Sequence, residues 1–313
     1  MTAVHVLLNP ASGNGRAGRR WQSLEARARE VFPDLTIRTS TAPGHLRAEA
    51  AAIARLGAPA LVLAAGGDGT SHEVVNGLVD AGFDHQTAMG WIPIGSGNDL
   101  ARTAGVPLGQ PACIDAYRRR IVERIDVGRI EYRTSDGEPT RRAFGNSFTL
   151  GLPVAVLERV RRSGKGLGGL SYSLAAVAAI VDQRPLRIAP TIDGEPMTAT
   201  DLRLLSITNG RTFGAGMRIT PGARFDDGVF DCVSLRWLPA VGALLLFPRI
   251  FWGGHLSHPQ VTHRPIRQLE LPGDGPIAFE ADGELVEGRL PLRVDLVPRG
   301  LAVVRPDPGP VPR

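Results

Sequence analysis

Leu61-Val62-Leu63-Ala64-Ala65-Gly66-Gly67-Asp68-Gly69-Thr70 runs directly into Ser71-His72-Glu73-Val74-Val75-Asn76-Gly77-Leu78. An apolar run long enough for one buried strand empties into three glycines around a single aspartate, and helical spacing follows. Thr70 and Glu73 stand at capping-box spacing, so a helix over Ser71–Val79 is expected to start behind a Thr/Ser cap. Without β-carbons at 66, 67 and 69 the backbone can approach a phosphate closely, and the helix start turns N–H groups toward it. Asp68 is the odd member. A carboxylate in a phosphate cradle repels its ligand unless a metal ion sits between them. The plain alternative is a strand–turn–helix corner in which Asp68 merely caps.

Working outward, residues up to about 107 alternate between strand and helix. Strands are expected at Val4–Leu8, Leu35–Thr39, Ala60–Ala64 and Met89–Ile94, with helices at Arg19–Phe32, Leu46–Leu56 and Ser71–Val79 and a helical turn capped by Asp99. That order predicts a doubly wound, mostly parallel α/β sheet, whose ligands bind beyond the carboxyl ends of its strands. Three polar glycine-containing turns fall at such ends: Asn9–Gly13, Gly66–Thr70 and Gly95–Asn98. From about Ile121 the texture changes to short β-rich runs: Ile125–Tyr132, Leu186–Ile192, Leu202–Thr208, Val229–Leu235 and Leu292–Leu296. These predict a mostly antiparallel second domain, with helical insertions near Leu170–Val181 and Val241–Phe251. The Pro-rich tail from about Arg305 is expected to fray.

At 313 residues the chain can build two cores, and 43% apolar with 21% charged residues is ordinary for a folded, water-facing protein. The longest apolar run, Leu174–Val181, is too short to span a bilayer, and residues 1–8 lack the basic start of a secretory leader. A cytoplasmic protein is expected, with Cys113 and Cys232 reduced and packed. Lys165 is the only lysine, so arginine supplies the other 35 of 36 basic residues. Because Gly166 follows Lys165, a GxxxxGK[ST] phosphate loop is excluded. With 5% aromatics the arginine groups lack the interleaved rings of a nucleic-acid reader, and an anionic membrane surface suits them better. The docking surface expected from sequence combines Arg159, Arg161, Arg162 and Lys165 with the apolar segment Trp237–Trp252. A helix packed into the second core is the competing reading of that segment.

Gly13-Asn14-Gly15-Arg16-Ala17-Gly18 matches GxGxxG, but Asn9-Pro10 separates it from the strand and no acid closes the second strand. A dinucleotide fold of the NAD(P) oxidoreductase kind is therefore not expected. Asp-Gly-Glu occurs at 136–138, 193–195 and 282–284, and Asp-Gly is first a hairpin signal. The third follows the apolar strand Ile277–Ala281, which makes its carboxylates candidates for a general base. Asp226-Asp227-Gly228 with Asp231 is either a cation site of carboxylate and backbone oxygens or a polar turn.

Asn9-Pro10-Ala11-Ser12-Gly13, Gly66-Gly67-Asp68-Gly69-Thr70 and Pro93-Ile94-Gly95-Ser96-Gly97-Asn98-Asp99-Leu100-Ala101-Arg102 together resemble the diacylglycerol kinase catalytic family, including its bacterial lipid kinases and the sphingosine and ceramide kinases. Asp226-Asp227-Gly228 and Asp282-Gly283-Glu284 follow in the family's order. The resemblance implies an α/β nucleotide domain over 1–125 rejoined by 297–306, a β-sandwich lipid-binding domain over 126–296 and a tail over 307–313. It implies ATP in the cleft between the domains, Mg2+, a lipid hydroxyl as acceptor with diacylglycerol the default, and a role in phospholipid biosynthesis. By position, Asn9, Pro10, Ser12, Gly13, Thr41, Gly66, Gly67, Asp68, Gly69, Thr70, Ser71, His72, Ser96 and Asn98 would line the nucleotide. Asp68 would act through magnesium, and Glu284 would take the proton from the lipid hydroxyl. Asp227, with the backbone oxygens of Arg224 and Val229, would match a structural magnesium site. The expected partner is a lipid at a membrane surface, approached peripherally, with a homodimer left open. Two departures stand out: Ser96 replaces the usual threonine, and Pro153 in Gly151-Leu152-Pro153-Val154-Ala155 replaces the acid of the family's Gly-x-Asp-Ala. Pro153 speaks against a sphingoid acceptor. The competing functions are an NAD kinase and a non-catalytic nucleotide- or lipid-binding regulator.

Overall fold

The computed structural model of the chain describes residues 2–83, 85–109, 111–163, 168–214 and 216–307. It divides into two compact units. One takes residues up to Val127, Gly214 and Gly216, and the chain from Pro298; the other takes Gly128–Phe213 and Met217–Val297.

In the first unit, β1 (Ala3–Leu8), α1 (Arg16–Val31), β2 (Thr36–Thr39), α2 (His45–Arg55), β3 (Ala60–Gly66), α3 (Asp68–Asp80) and β4 (Thr87–Pro93) alternate, followed by the short helices α4 (Asp99–Thr103) and α5 (Ala112–Asp115). The strands lie in the order β2-β1-β3-β4, all parallel. β3 and β4 are buried along their whole length, which is why both read as unbroken apolar runs rather than alternating ones. α1 buries Ala17, Trp21, Leu24 and Ala28, a single stripe at helical spacing. α2 packs against α3, and α1 against α5, so helices cover both faces of a doubly wound sheet.

The capping box expected at Thr70–Glu73 does not form. α3 begins earlier, at Asp68, with Gly67 as its cap residue and no side-chain cap hydrogen bond. Glu73 serves the neighbouring helix instead: its carboxylate accepts N–H bonds from Gly44 and Leu46, each at 3.0 Å, and from Arg47 at 3.3 Å. Those are orphan donors of the first turn of α2, and a carboxylate there also meets the positive helix end.

The second unit starts within β5 (Arg120–Arg133) and continues through β6 (Pro139–Phe144), β7 (Ser147–Gly151), α6 (Leu152–Ser163), α7 (Gly168–Asp182), β8 (Leu186–Ile188), β9 (Thr191–Ile192), β10 (Glu195–Pro196), β11 (Thr200–Thr208), β12 (Phe230–Arg236), α8 (Ala240–Leu246), β13 (Val261–Ile266), β14 (Gln268–Leu271), β15 (Pro276–Ala281) and β16 (Glu284–Pro306). Antiparallel pairs run β13-β12-β11-β7-β15-β16, with β14 on β16 and β9 on β14. Phe144, Phe148, Phe230 and Phe279 form the aromatic centre of the core these strands enclose, a β-sandwich. Arg203 of β11 is 1% exposed and acts as a buried clamp. It donates to the carbonyls of Leu238 (2.6 Å) and Ile180 (2.9 Å), with its guanidinium 4.1 Å over the Trp237 ring.

Three elements depart from the sequence reading. α6 was not foreseen, yet Pro153 sits in its first turn, where the missing N–H has no partner to lose. Pro190 divides the expected strand 186–192 into β8 and β9. β16 runs 23 residues as one strand, taking in both the expected strand Leu292–Leu296 and the segment 297–306 expected to rejoin the first domain, which Pro291 and Pro298 set apart in the sequence pattern. The last part of β16 lies in the first unit, where Val303 pairs parallel with Met89 of β4 and the Arg299 N–H donates to buried Asp126 at 2.7 Å. Cys113 and Cys232 are free and buried, and burial raises their thiols to about 11 and about 12. Residues 308–313 and Lys165 lie outside the described residues.

The cap that Glu73 supplies in trans sets an expectation. Glu73→Ala should destabilise the chain by about 1–2 kcal/mol, with a thermal midpoint a few degrees lower. Asp at position 73 should not restore it, being one methylene too short to reach α2. An unchanged midpoint in Glu73→Ala would remove the cap.

Candidate active site

The carboxyl ends of β1, β3 and β4 carry the three glycine-rich turns on one rim of the first unit. After β1, the Asn9 N–H donates to Ala65 at 3.0 Å and its side-chain oxygen accepts the Ala11 N–H at 3.1 Å, which folds Asn9–Gly13 back over the strand. The Ser12 hydroxyl lies 3.1 Å from that of Thr70 in α3, tying the first turn to the second. The Gly66 carbonyl accepts N–H bonds from Ile94 (3.0 Å) and Gly95 (2.7 Å), tying the second to the third. A β-carbon on Gly95 would lie 2.3 Å from the Gly67 Cα, so the close approach of these two turns requires glycine. Arg20 of α1 braces the third turn, donating to the carbonyls of Ile94 (2.9 Å) and Gly95 (3.3 Å). Nothing in the motif pattern pointed to that arginine.

Asp68 joins the second and third turns directly. One carboxylate oxygen accepts the Asn98 N–H at 2.8 Å and the other the Asp99 N–H at 2.7 Å. A β-carbon on Gly97 would meet an Asp68 oxygen at 2.0 Å, so glycine there lets the carboxylate reach the turn. The charge that seemed misplaced in a phosphate cradle is thus met by two backbone donors. Asn98 is buried, with φ 63°, and its amide donates to Gly95 at 3.2 Å, while Ser96 is exposed on the rim. Gly69 lies in the first turn of α3, whose Thr70, Ser71 and His72 are buried; His72 packs against Asn76. Thr41 follows β2, its N–H and hydroxyl lying 3.1 and 3.0 Å from His45 Nδ1.

All three Asp-Gly-Glu tripeptides are hairpin turns, joining β5 to β6, β9 to β10 and β15 to β16. The third differs by what its tip is fastened to. Asp282 is 6% exposed, and its carboxylate accepts N–H bonds from Gly145 (2.9 Å), Asn146 (2.8 Å) and Ser147 (3.0 Å). Glu280, one strand position before Ala281, is 3% exposed. It accepts the Thr149 hydroxyl at 2.6 Å, the Ser147 hydroxyl at 3.5 Å and the Gly283 N–H. Burial raises the Glu280 carboxyl to about 7 against those hydrogen bonds. Glu284 follows as the first residue of β16, exposed, on a turn fixed by two buried acids. The sequence reading singled out Glu284 and missed Glu280. Its signal was a carboxylate inside an otherwise apolar strand.

Asp226-Asp227-Gly228 is an exposed turn, where Asp226 pairs with Arg224 at 3.2 Å and Asp227 accepts the Val229 N–H at 3.3 Å. Among the described residues no group of three or more His, Cys, Asp or Glu side chains gathers as a metal cage. Within the second unit lies an apolar cavity of about 80 Å3. Phe213, Met217, Val233, Leu246 and Ile250 are on its wall, together with Pro153 of α6 and, among the described residues, a single polar side chain, His255. α8 and the turn after it bury Ala243, Leu246 and Ile250 and expose Val241, Leu245, Phe251 and Trp252, so the segment is apolar on both sides. The expected basic surface is partly neutralised: Arg159 pairs with Asp182, Arg161 with Glu287 and Arg162 with Glu158.

Two family models match this architecture. Residues 3–130 match the diacylglycerol kinase catalytic domain, and residues 146–305 match the YegS C-terminal NAD kinase beta sandwich-like domain. The chain belongs to the diacylglycerol kinase family. It is 33% identical over 310 residues to a diacylglycerol kinase of Mycobacterium tuberculosis (strain ATCC 25618 / H37Rv), covering 98% of this chain and 96% of that protein. It is 24% identical over 307 residues to a diacylglycerol kinase of Bacillus subtilis (strain 168), covering 98% and 97%. A crystal structure from Bacillus anthracis str. Sterne shares the fold with a TM-score of 0.76 at 20% identity, over 99% of this chain and 98% of that one. The chain is therefore a transferase of the lipid kinase class, and no helix among its described residues is long and apolar enough to cross a membrane.

For this diacylglycerol kinase family member, Glu280 gives a pH dependence with a definite sign. Its folded value of about 7 lies above the ordinary 4.5, so between those pH values the folded chain keeps a proton that the unfolded chain releases. Stability therefore falls as pH rises through that window and levels off above it. Glu280→Gln should remove this fall. Measured by denaturant midpoint, the variant should gain on the wild type by up to about 3 kcal/mol between pH 5 and pH 8. Parallel pH profiles would show that Glu280 is ionised in the fold throughout.

Proposed function

We propose that this chain is an ATP- and Mg2+-dependent lipid kinase that transfers the γ-phosphoryl of ATP to a primary lipid hydroxyl, with diacylglycerol as the acceptor and phosphatidic acid as the product. The observation that carries the reading is the apolar cavity of the second unit, in a chain whose first unit matches a diacylglycerol kinase catalytic domain. A water-soluble acceptor such as NAD has no use for such a wall. Buried Pro153 on that wall, in place of an acid, favours a neutral acceptor over a sphingoid amine.

The rim fits a nucleotide in its donor chemistry: backbone at Asn9–Gly13, Gly66–Thr70 and Gly95–Asn98, with the hydroxyls of Ser12, Thr70 and Ser96 beside it. Bound Mg2+ would neutralise phosphate charge. Asp68 is the side chain to hold it, since a carboxylate offers about four lone-pair positions. Asp227 with the carbonyls of Arg224 and Val229 is a second, all-oxygen donor set of the kind a hard cation takes. In the transfer, the lipid hydroxyl oxygen bonds to the γ-phosphorus as the bond to the β-phosphate oxygen breaks. The hydroxyl proton passes to Glu284, and ADP leaves. Asp282 and Glu280 keep Glu284 placed by holding its turn.

The deciding assay supplies ATP labelled in the γ-phosphate with a panel of lipids and NAD, with and without magnesium. Label should land on diacylglycerol and only with magnesium. Label on NAD would identify an NAD kinase, and label nowhere a regulator. Asp68→Ala should lower turnover on the order of a thousandfold and Glu284→Gln by roughly two to four orders of magnitude, while Glu138→Gln and Glu195→Gln change little. Equal behaviour of the three glutamines would remove Glu284 as the base. In the same preparations magnesium alone should raise the thermal midpoint of the wild type and not of Asp227→Ala.

Access to a bilayer lipid is proposed through the outward side of α8, where Val241, Leu245, Phe251 and Trp252 are exposed in front of the cavity wall. Because Arg159, Arg161 and Arg162 are ion-paired, apolar insertion should outweigh their charge. Binding to phosphatidylglycerol vesicles should weaken more in Leu245→Glu with Trp252→Ala than on raising salt. If salt alone abolishes sedimentation with vesicles and the double variant does not, the surface lies elsewhere.

A further inference from the structure

His255 is 5% exposed and forms part of the wall of the apolar cavity. Its Nε2 lies 3.1 Å from the Ile219 carbonyl oxygen. A carbonyl only accepts, so Nε2 carries the hydrogen. Burial lowers the pKa of the ring, as does the nearby charge of His263, which favours the neutral form at ordinary pH. In that tautomer Nδ1 is an acceptor, and it is buried with no hydrogen-bond partner. Buried polar atoms are almost always satisfied, and each exception calls for a physical account.

A trapped water is a poor answer. Buried waters make about three hydrogen bonds, and among the described residues the side chains on this wall offer one acceptor among apolar neighbours. A ligand that is itself apolar and brings one donor answers the chemistry of this wall better, since its hydrocarbon suits the apolar side chains and its donor suits an acceptor without a partner. We propose that the cavity selects a lipid whose hydrocarbon chain carries a hydroxyl group along its length, with His255 Nδ1 accepting that hydroxyl's hydrogen. This rests on the lipid-kinase reading for its biological sense, but not for its test. Sites built to bond a substrate hydroxyl discriminate strongly against the analogue lacking it, since the buried partner is then left unmet.

The test is binding without ATP, so the outcome does not depend on phosphoryl transfer. A fluorescent fatty acid seated in the full chain is displaced by stearic acid or by members of a hydroxystearic acid series with the hydroxyl moved along the chain. At least one position should displace about tenfold or more tightly than stearic acid. In His255→Phe that preference should disappear while stearic acid binds as well or better. His255→Leu, checked for an unchanged thermal midpoint, is the second variant if Phe overfills the wall. Equal affinities across the series in the wild type, a preference that survives both variants, or no displacement by either acid class would each overturn the proposal. Failure of lipid phosphorylation with a retained hydroxyl preference would sink the kinase reading alone.

Discussion

Two hydrogen bonds from backbone N–H groups to the Asp68 carboxylate decide the shape of the glycine-rich rim. They pull the Gly95–Asn98 turn onto the start of α3, and the rest of the rim follows from how close that brings the chain to itself. Gly95 must lack a β-carbon to pass Gly67, and Gly97 must lack one to leave room for the carboxylate. Charge-assisted bonds to backbone donors are among the stronger ones, so the turn stands ready before any ligand arrives. The same carboxylate thus has a structural duty of its own in holding the two turns together.

The second unit repeats this device with a different purpose. Asp282 draws three N–H groups of the Gly145–Ser147 segment onto a hairpin tip, and Glu280 holds the same tip from inside the strand. Glu284 is left exposed on a support that cannot swing. Asp193 does a milder version at the β9–β10 tip, accepting two N–H groups from Arg267 and Gln268 at the surface. Burial, not tripeptide identity, separates the third Asp-Gly-Glu turn from the other two.

The α/β order was readable because β3 and β4 are buried end to end and leave unbroken apolar runs, while α1 carries a clean stripe. The placing of the three turns on one rim was readable because each follows an apolar run that ends in polar and glycine residues. Glu73 misled because capping-box spacing is a local signal, and the donors it meets lie on another helix. Glu280 escaped because its hydroxyl partners come from β7, more than a hundred residues earlier in the chain. The same holds for His255, whose partner Ile219 and apolar neighbours are gathered only by the fold. Proline misled in two directions: Pro153 begins a helix, while Pro291 and Pro298 sit inside a single long strand.

Cys113 and Cys232 are each shut from solvent and held protonated far above neutral pH by burial. Thiolate is the reactive form, so neither should compete for a maleimide near pH 7. A cysteine introduced at exposed Leu245 or Trp252 would be the one fast-labelling thiol of the chain, with no native residue to remove first. A dye or spin label there could report on lipid contact in an otherwise unaltered protein.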